Sequence, residues 1–125
     1  SSSHFDEATI RFYDLLDQAF KPSVLQVLRT FSQDSQVQID LLASSIEQEN
    51  QSACREVSHK LKGTCLYMGF RELAQKFAAL EKIDLANDGL ALSLASETSS
   101  LLLEYVKQVD DRLGRVSESH FEFKK

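Results

Sequence analysis

The sequence has few residues that interrupt a helix, since it contains one proline and four glycines among 125 residues. Proline breaks helices because it lacks an amide proton, and glycine weakens them through its backbone freedom. Long apolar runs are also missing, which argues against a membrane span, and no cationic-then-apolar leader is visible. The 42% hydrophobic and 26% charged residues are typical of one soluble globular domain with a single core.

Positive charge is scarce as well, because the sequence has 14 basic and 19 acidic residues and a net charge of −5. This balance argues against nucleic acid as the main partner, since phosphate backbones select dense basic surfaces. A small protein, or a single phosphoryl group near local lysines, suits this charge distribution better.

Cysteine is limited to Cys54 and Cys65. Eleven residues of one helix return them to nearly the same face but roughly 16 Å apart along the axis, which is too far for a disulfide. His59 lies between them and projects to the other side, so the three residues do not form a zinc site. We expect both cysteines to be reduced and buried as small hydrophobic residues, in agreement with a cytoplasmic setting.

Helical periodicity dominates the first part of the chain. Apolar residues recur at three- and four-residue steps over 6–20, which predicts an amphipathic N-terminal helix. Pro22 suits the first turn of a second helix. The apolar stripe of that helix weakens over 32–36, where we expect a local irregularity.

Capping and turn residues divide the rest into further helices. Asn50 is a suitable N-cap for the next helix, and Gly69 is a suitable break at its end. "ANDG" at 86–89 is the clearest turn, and the last helix is predicted over 90–113 with Gly114 placed to end it.

These elements predict an all-α fold, an antiparallel (up-down) four-helix bundle with an additional N-terminal helix. Packing the apolar faces together is the way to remove them from water. We expect a single domain over 1–125, with a core at about 20–114 and ragged termini. A complete four-helix core favours a monomer.

The segment "SHKLKGTCLYMGF", residues 58–70, places a histidine on the outward side of its helix. His59 is about 200° away from both Val57 and Leu61, which fall on the apolar side of the 3.6-residue repeat. His59 is therefore predicted to face solvent. Its own face also carries Arg55, Lys62, Gly63 and Leu66.

The residues around His59 are unusual for a solvated helix face. Gly63 costs the helix roughly 1 kcal/mol relative to alanine and leaves room for another molecule to approach. Lys62 supplies a positive charge for an anion on the imidazole, and Leu66 is apolar where a polar residue is expected. From these residues alone, a chance arrangement on a solvated face and a reactive patch explain the pattern equally well.

"HKLKGTCLYMG", residues 59–69, resembles the H-x-x-K-G-x-x-x-x-x-G signature of histidine phosphotransfer (HPt) domains of multistep phosphorelays. "RELAQKFAALE" after the second glycine is a further match, because it ends in a Leu–Glu pair that is frequent in the family. The resemblance covers roughly residues 20–112. It implies either a free-standing module or the C-terminal part of a bacterial hybrid sensor histidine kinase. The ragged sequence at both termini favours the hybrid kinase.

The resemblance also implies roles for individual residues. His59 would be the phosphoacceptor, taking a phosphoryl group from a receiver-domain aspartate and passing it to a response regulator. Lys62 would provide the phosphate electrostatics. Neutral imidazole suits this chemistry because it is a good nucleophile near pH 7. The residues implied to contact the partner are Arg55, Gly63, Leu66 and, on the neighbouring helix, Glu81.

No metal or cofactor is expected in the domain itself, because the sequence has no glycine-rich nucleotide loop and no evident acidic metal pocket. Autonomous kinase activity is not expected, and the resemblance implies that Mg²⁺ belongs to the receiver partner. The expected partners are receiver domains and response regulators, with no nucleic acid and no membrane contact by this segment. The expected location is cytoplasmic, including the case of a cytoplasmic C-terminal domain of a membrane-bound kinase.

Two other interpretations stay open. One is the phosphoacceptor domain of a chemotaxis kinase, which carries a similar motif and is phosphorylated from ATP by catalysis elsewhere in that protein. The other is a non-catalytic helical docking adaptor that uses Leu66 and its surroundings. The sequence does not determine the signal, the cognate receivers or the direction of phosphate flux.

Overall fold

The computed structural model describes residues 21–123 and, before them, Asp14, Asp17 and Gln18, with side chains described as far as Gly114. Within residues 21–123 the regular elements are four α-helices, α1 (Pro22–Glu47), α2 (Gln51–Met68), α3 (Arg71–Glu81) and α4 (Ala91–Phe123). The all-α class is confirmed. The N-terminal helix predicted over 6–20 lies almost entirely outside the described residues.

The first helix is one continuous element of 26 residues. Pro22 occupies its first turn, where the missing amide proton costs nothing. The irregularity predicted over 32–36 is wrong. Ser35 is buried there and its hydroxyl donates to the Phe31 carbonyl at 2.6 Å, so the polar side chain is satisfied inside the helix.

Both ends of α2 follow the capping residues that the sequence predicts. The Asn50 side-chain oxygen accepts a hydrogen bond from the Ala53 amide at 3.1 Å. At the other end Gly69 adopts the left-handed conformation with φ 86°, and the Phe70 amide donates to the Cys65 carbonyl at 2.8 Å. A residue with a Cβ atom adopts this φ only at a cost, so Gly69 fixes where α2 turns into α3.

The last helix is longer than the sequence predicts. Gly114 was expected to end it, but α4 continues through Gly114 to Phe123. One exposed glycine costs only about 1 kcal/mol within a helix and needs a change in backbone direction to act as a cap. The turn predicted at 86–89 is present between α3 and α4.

Consecutive helices pack on each other, and α1 also packs on α4, so that the four apolar faces share one core. Phe70 joins the helices at one end, since its ring stacks on Tyr105 at 4.4 Å between centroids and meets Phe31 edge-on at 5.5 Å. Fully buried core side chains include Leu28, Leu42, Cys54, Cys65, Leu73, Phe77, Leu80, Leu102 and Val109.

Both cysteines are free and buried, as expected. Burial raises the pKa of the Cys65 thiol to about 12, so the thiol stays protonated and packs as an apolar group. Among the described residues, no helix combines the length and the apolar character that a membrane crossing needs.

Replacing Asn50 by alanine removes the side-chain acceptor at the start of α2. We expect Asn50→Ala to lower the free energy of unfolding by about 1 kcal/mol, because one amide of the first turn loses its partner. Urea denaturation measures this loss. Ser52→Ala, an exposed change in the same turn, is the control, and equal stability of Asn50→Ala and wild type would contradict the capping role.

Candidate functional site

His59 lies on the outward face of α2, as the helical periodicity predicts. Its side chain is 69% exposed, whereas Leu61 is buried and Val57 is half-buried. Thr64 on the same helix is half-buried, and its hydroxyl donates to the Lys60 carbonyl. Ser58, directly before the histidine, is fully buried.

A carboxylate from α3 holds His59 and Lys62 together. Glu81 is the last residue of α3, and its Oε1 lies 2.7 Å from His59 Nδ1. Its other oxygen, Oε2, accepts a hydrogen bond from Lys62 Nζ, also at 2.7 Å. The structure therefore brings three of the predicted site residues into one hydrogen-bonded cluster across the α2–α3 interface.

The charge state of Glu81 determines the tautomer of His59. The hydrogen bond from Lys62 is the largest cause that lowers the pKa of the Glu81 carboxyl below its ordinary value of 4.5, and the hydrogen bond with His59 lowers it further against the opposing effect of desolvation. Glu81 is thus ionised at neutral pH and can only accept hydrogen bonds. The imidazole proton then resides on Nδ1, which leaves the Nε2 lone pair as the nucleophilic atom.

Gly63 leaves open space beside the imidazole. A Cβ atom built on Gly63 would meet no other atom of the protein within 4 Å, apart from the helix's own neighbouring backbone. Packing within this chain therefore does not require glycine at this position. The space beside the glycine lies one turn of helix from His59.

The remaining predicted site residues are exposed on the same side. Arg55 is exposed, and the apolar Leu66 is 56% exposed. The neighbouring Tyr67 is 64% exposed. It lines a groove of about 440 Å³ between α1 and α2, together with Val27, Phe31, Leu61, Gly63 and Met68.

Gln51 is a polar contact near this site that sequence reasoning missed. Its side-chain amide hydrogen-bonds to the backbone of Ile83 and Leu85, just after α3. These partners are 32 and 34 residues away, so no local sequence pattern could have indicated the contact. Among the described residues, no three His, Cys, Asp or Glu side chains are grouped so that they could hold a metal ion.

Comparison with known proteins identifies the family of the chain. Searches of curated proteins and of solved structures gave no match. The sequence model of the family described as "Hpt domain" matches residues 26–118, which is most of the chain and includes His59, Lys62 and Glu81. Hpt domains carry out histidine phosphotransfer in phosphorelays. On this evidence the chain belongs to the Hpt domain family.

Proposed function

We propose that this Hpt domain accepts a phosphoryl group on His59 Nε2 from the aspartyl phosphate of a receiver domain and passes it to a response regulator. The observation that carries the proposal is the 2.7 Å contact between Glu81 and His59 Nδ1, because it leaves Nε2 unprotonated and facing solvent. A solvated histidine without this contact would exchange its proton between both nitrogens.

The transfer step needs no proton to leave the histidine. The Nε2 lone pair attacks phosphorus in line, and the bond between phosphorus and the aspartyl oxygen breaks as the N–P bond forms. The receiver's carboxylate leaves with the electron pair. The ring then carries a positive charge, which the ionised Glu81 carboxylate stabilises through Nδ1–H. The same steps in reverse order deliver the phosphoryl group to the next receiver.

Lys62 neutralises the phosphoryl group in this proposal. Its side chain is 28% exposed, and its ammonium is held by Glu81, one turn of helix from the imidazole. Phosphoryl transfer depends mainly on positioning and charge neutralisation, so one cation held beside the acceptor is suitable. The domain itself uses no cofactor here, and Mg²⁺ comes with the receiver.

The proposed partner surface is the outward face of α2 with the adjoining groove. Leu66 and Tyr67 offer exposed apolar area, and Gly63 lets a partner approach the helix backbone. Arg55 adds a positive charge on the same side. A receiver domain that covers this face would exclude water from the phosphoryl group during transfer.

The proposal includes an up-down order of the four helices. The connections 48–50 and 69–70 are only three and two residues long, which supports antiparallel neighbours. The additional N-terminal helix, the monomeric state and a hybrid sensor kinase as parent protein remain predictions.

The test of the function is phosphoryl transfer from a panel of phosphorylated receiver domains. Wild-type protein should acquire an acid-labile, base-stable label, and His59→Gln should acquire none while still binding the same receivers by calorimetry. Glutamine keeps a polar side chain without a nucleophilic nitrogen. Receiver binding without labelling of wild type by any receiver or by an ATP-fed kinase would favour the docking adaptor and contradict the proposal.

Gly63→Ala should have opposite effects on stability and on transfer. We expect the variant to be more stable by up to about 1 kcal/mol, because alanine favours the helix and its Cβ meets nothing inside the chain. Transfer from a receiver should slow at least tenfold, an effect of about 1.4 kcal/mol, since the methyl group occupies partner space. Phosphorylation by a small phosphoramidate donor is the control and should change little. Unchanged receiver kinetics would rule out close approach at Gly63.

The carboxyl of Glu81 should titrate below 4.5, and Lys62→Met should raise its midpoint towards that ordinary value, because the hydrogen bond from Lys62 is the largest lowering effect. Carbon-13 NMR of the Glu81 carboxyl measures both midpoints. Since the pKa of Glu81 is lower in the folded protein, its ionised carboxylate stabilises the fold at neutral pH. This stabilisation is lost as the pH falls through that pKa. Lys76→Met is the control, because Lys76 pairs with Glu97 on α4. An equal shift in both variants would show that Lys62 has no specific effect.

A further inference from the structure

The side-chain amide of Gln51 uses both of its polar atoms on one short stretch of backbone. Its Nε2 donates to the Ile83 carbonyl at 2.8 Å, and its Oε1 accepts from the Leu85 amide at 2.9 Å. Gln51 is the first residue of α2, and its side chain is half-buried. It therefore connects the start of α2 to the backbone that follows α3.

The end of α3 needs such support because the carboxylate of the site is on its last residue. The final residues of a helix have unpaired carbonyls and fray easily. After Glu81 only Lys82 precedes Ile83, the residue that Gln51 holds. Ile83 and Leu85 also pack partly against the core, so the backbone beyond α3 is fixed by two side chains and one two-point polar contact.

The contacts between α2 and the end of α3 lie at two places along α2. His59 and Lys62 contact Glu81, and Gln51, about 12 Å before His59 along the helix, contacts the backbone two and four residues beyond Glu81. Loss of the Gln51 contact would leave the last turn of α3 held to α2 by the two hydrogen bonds of Glu81 and by the burial of Leu80. Without the Gln51 contact, we expect the Glu81 carboxylate to keep its place on Nδ1 less well.

We propose that Gln51 is a positioning residue of the phosphotransfer site, which holds the Glu81 carboxylate on His59 Nδ1 by fixing the backbone directly after α3. The effect of Gln51 on phosphoryl transfer rests on the proposed function, whereas its effect on the position of Glu81 does not. Gln51 touches no reacting atom and acts only through Glu81.

The decisive measurement is the tautomer of His59, read from the nitrogen-15 shifts of Nδ1 and Nε2 by NMR. In wild type the proton should be mainly on Nδ1. Gln51→Ala removes both hydrogen bonds, and we expect a clear shift towards the Nε2–H form together with about tenfold slower transfer from a receiver. Gln51→Glu keeps the side-chain length and the acceptor for Leu85 but loses the donor to Ile83, so it should fall between wild type and Gln51→Ala.

Val109→Ala is the matched control for stability. Val109 is fully buried in α4 and lies roughly 27 Å along that helix from the α3–α4 connection, so its truncation destabilises the bundle without touching the Gln51 contact. All variants are compared at temperatures where each is fully folded. A tautomer shift in Gln51→Ala that is absent in Val109→Ala supports the proposal.

Two results would overturn the inference. One is an unchanged His59 tautomer in Gln51→Ala, whether or not transfer is slower, and the other is an equal tautomer shift in Val109→Ala. Failure of the proposed function looks different, because wild type itself would then accept no phosphoryl group, whereas the NMR comparison would still decide whether Gln51 positions Glu81.

Discussion

The ionised carboxylate of Glu81, shared between His59 and Lys62, is the interaction on which the site depends. Each of its oxygens lies 2.7 Å from a nitrogen on α2, so one side chain of α3 fixes the tautomer of the imidazole and the place of the ammonium. The pairing is possible only because α2 and α3 pack directly on each other. A change in the angle between these helices would separate Glu81 from both His59 and Lys62.

The outward face of α2 differs from an ordinary solvated helix face. Gly63 weakens the helix without any packing need in this chain, and Leu66 and Tyr67 expose apolar area that a solvated face normally avoids. The opposite face of α2 is conventional, with Cys54, Leu61 and other residues buried in the core. The burial of that inward face offsets the loss, which is why a reactive outward face is compatible with a stable bundle.

The connection between α3 and α4 is held by several hydrogen bonds. It follows Glu81 directly, and the side-chain amide of Gln51 contacts it at Ile83 and Leu85. The carboxylate of Asp84, between these two residues, accepts hydrogen bonds from the Ala86 amide and the Asn87 side chain. The backbone after α3 therefore has specific polar partners, although it has no regular secondary structure.

The sequence by itself determined the features that depend on neighbouring residues. Helical periodicity placed His59 outward, and capping chemistry placed the ends of α2 at Asn50 and Gly69, because both effects act within one or two turns. The same local reasoning failed where packing decides. It predicted an irregularity over 32–36 and a helix end at Gly114, and both stretches are helical in the bundle. The family resemblance suggested that Glu81 lies near His59. Only the tertiary structure decided the distance between them and the hydrogen bonds from Gln51 to Ile83 and Leu85. These residues are 22 to 34 positions apart in the sequence, so they meet only because α2 and α3 pack on each other.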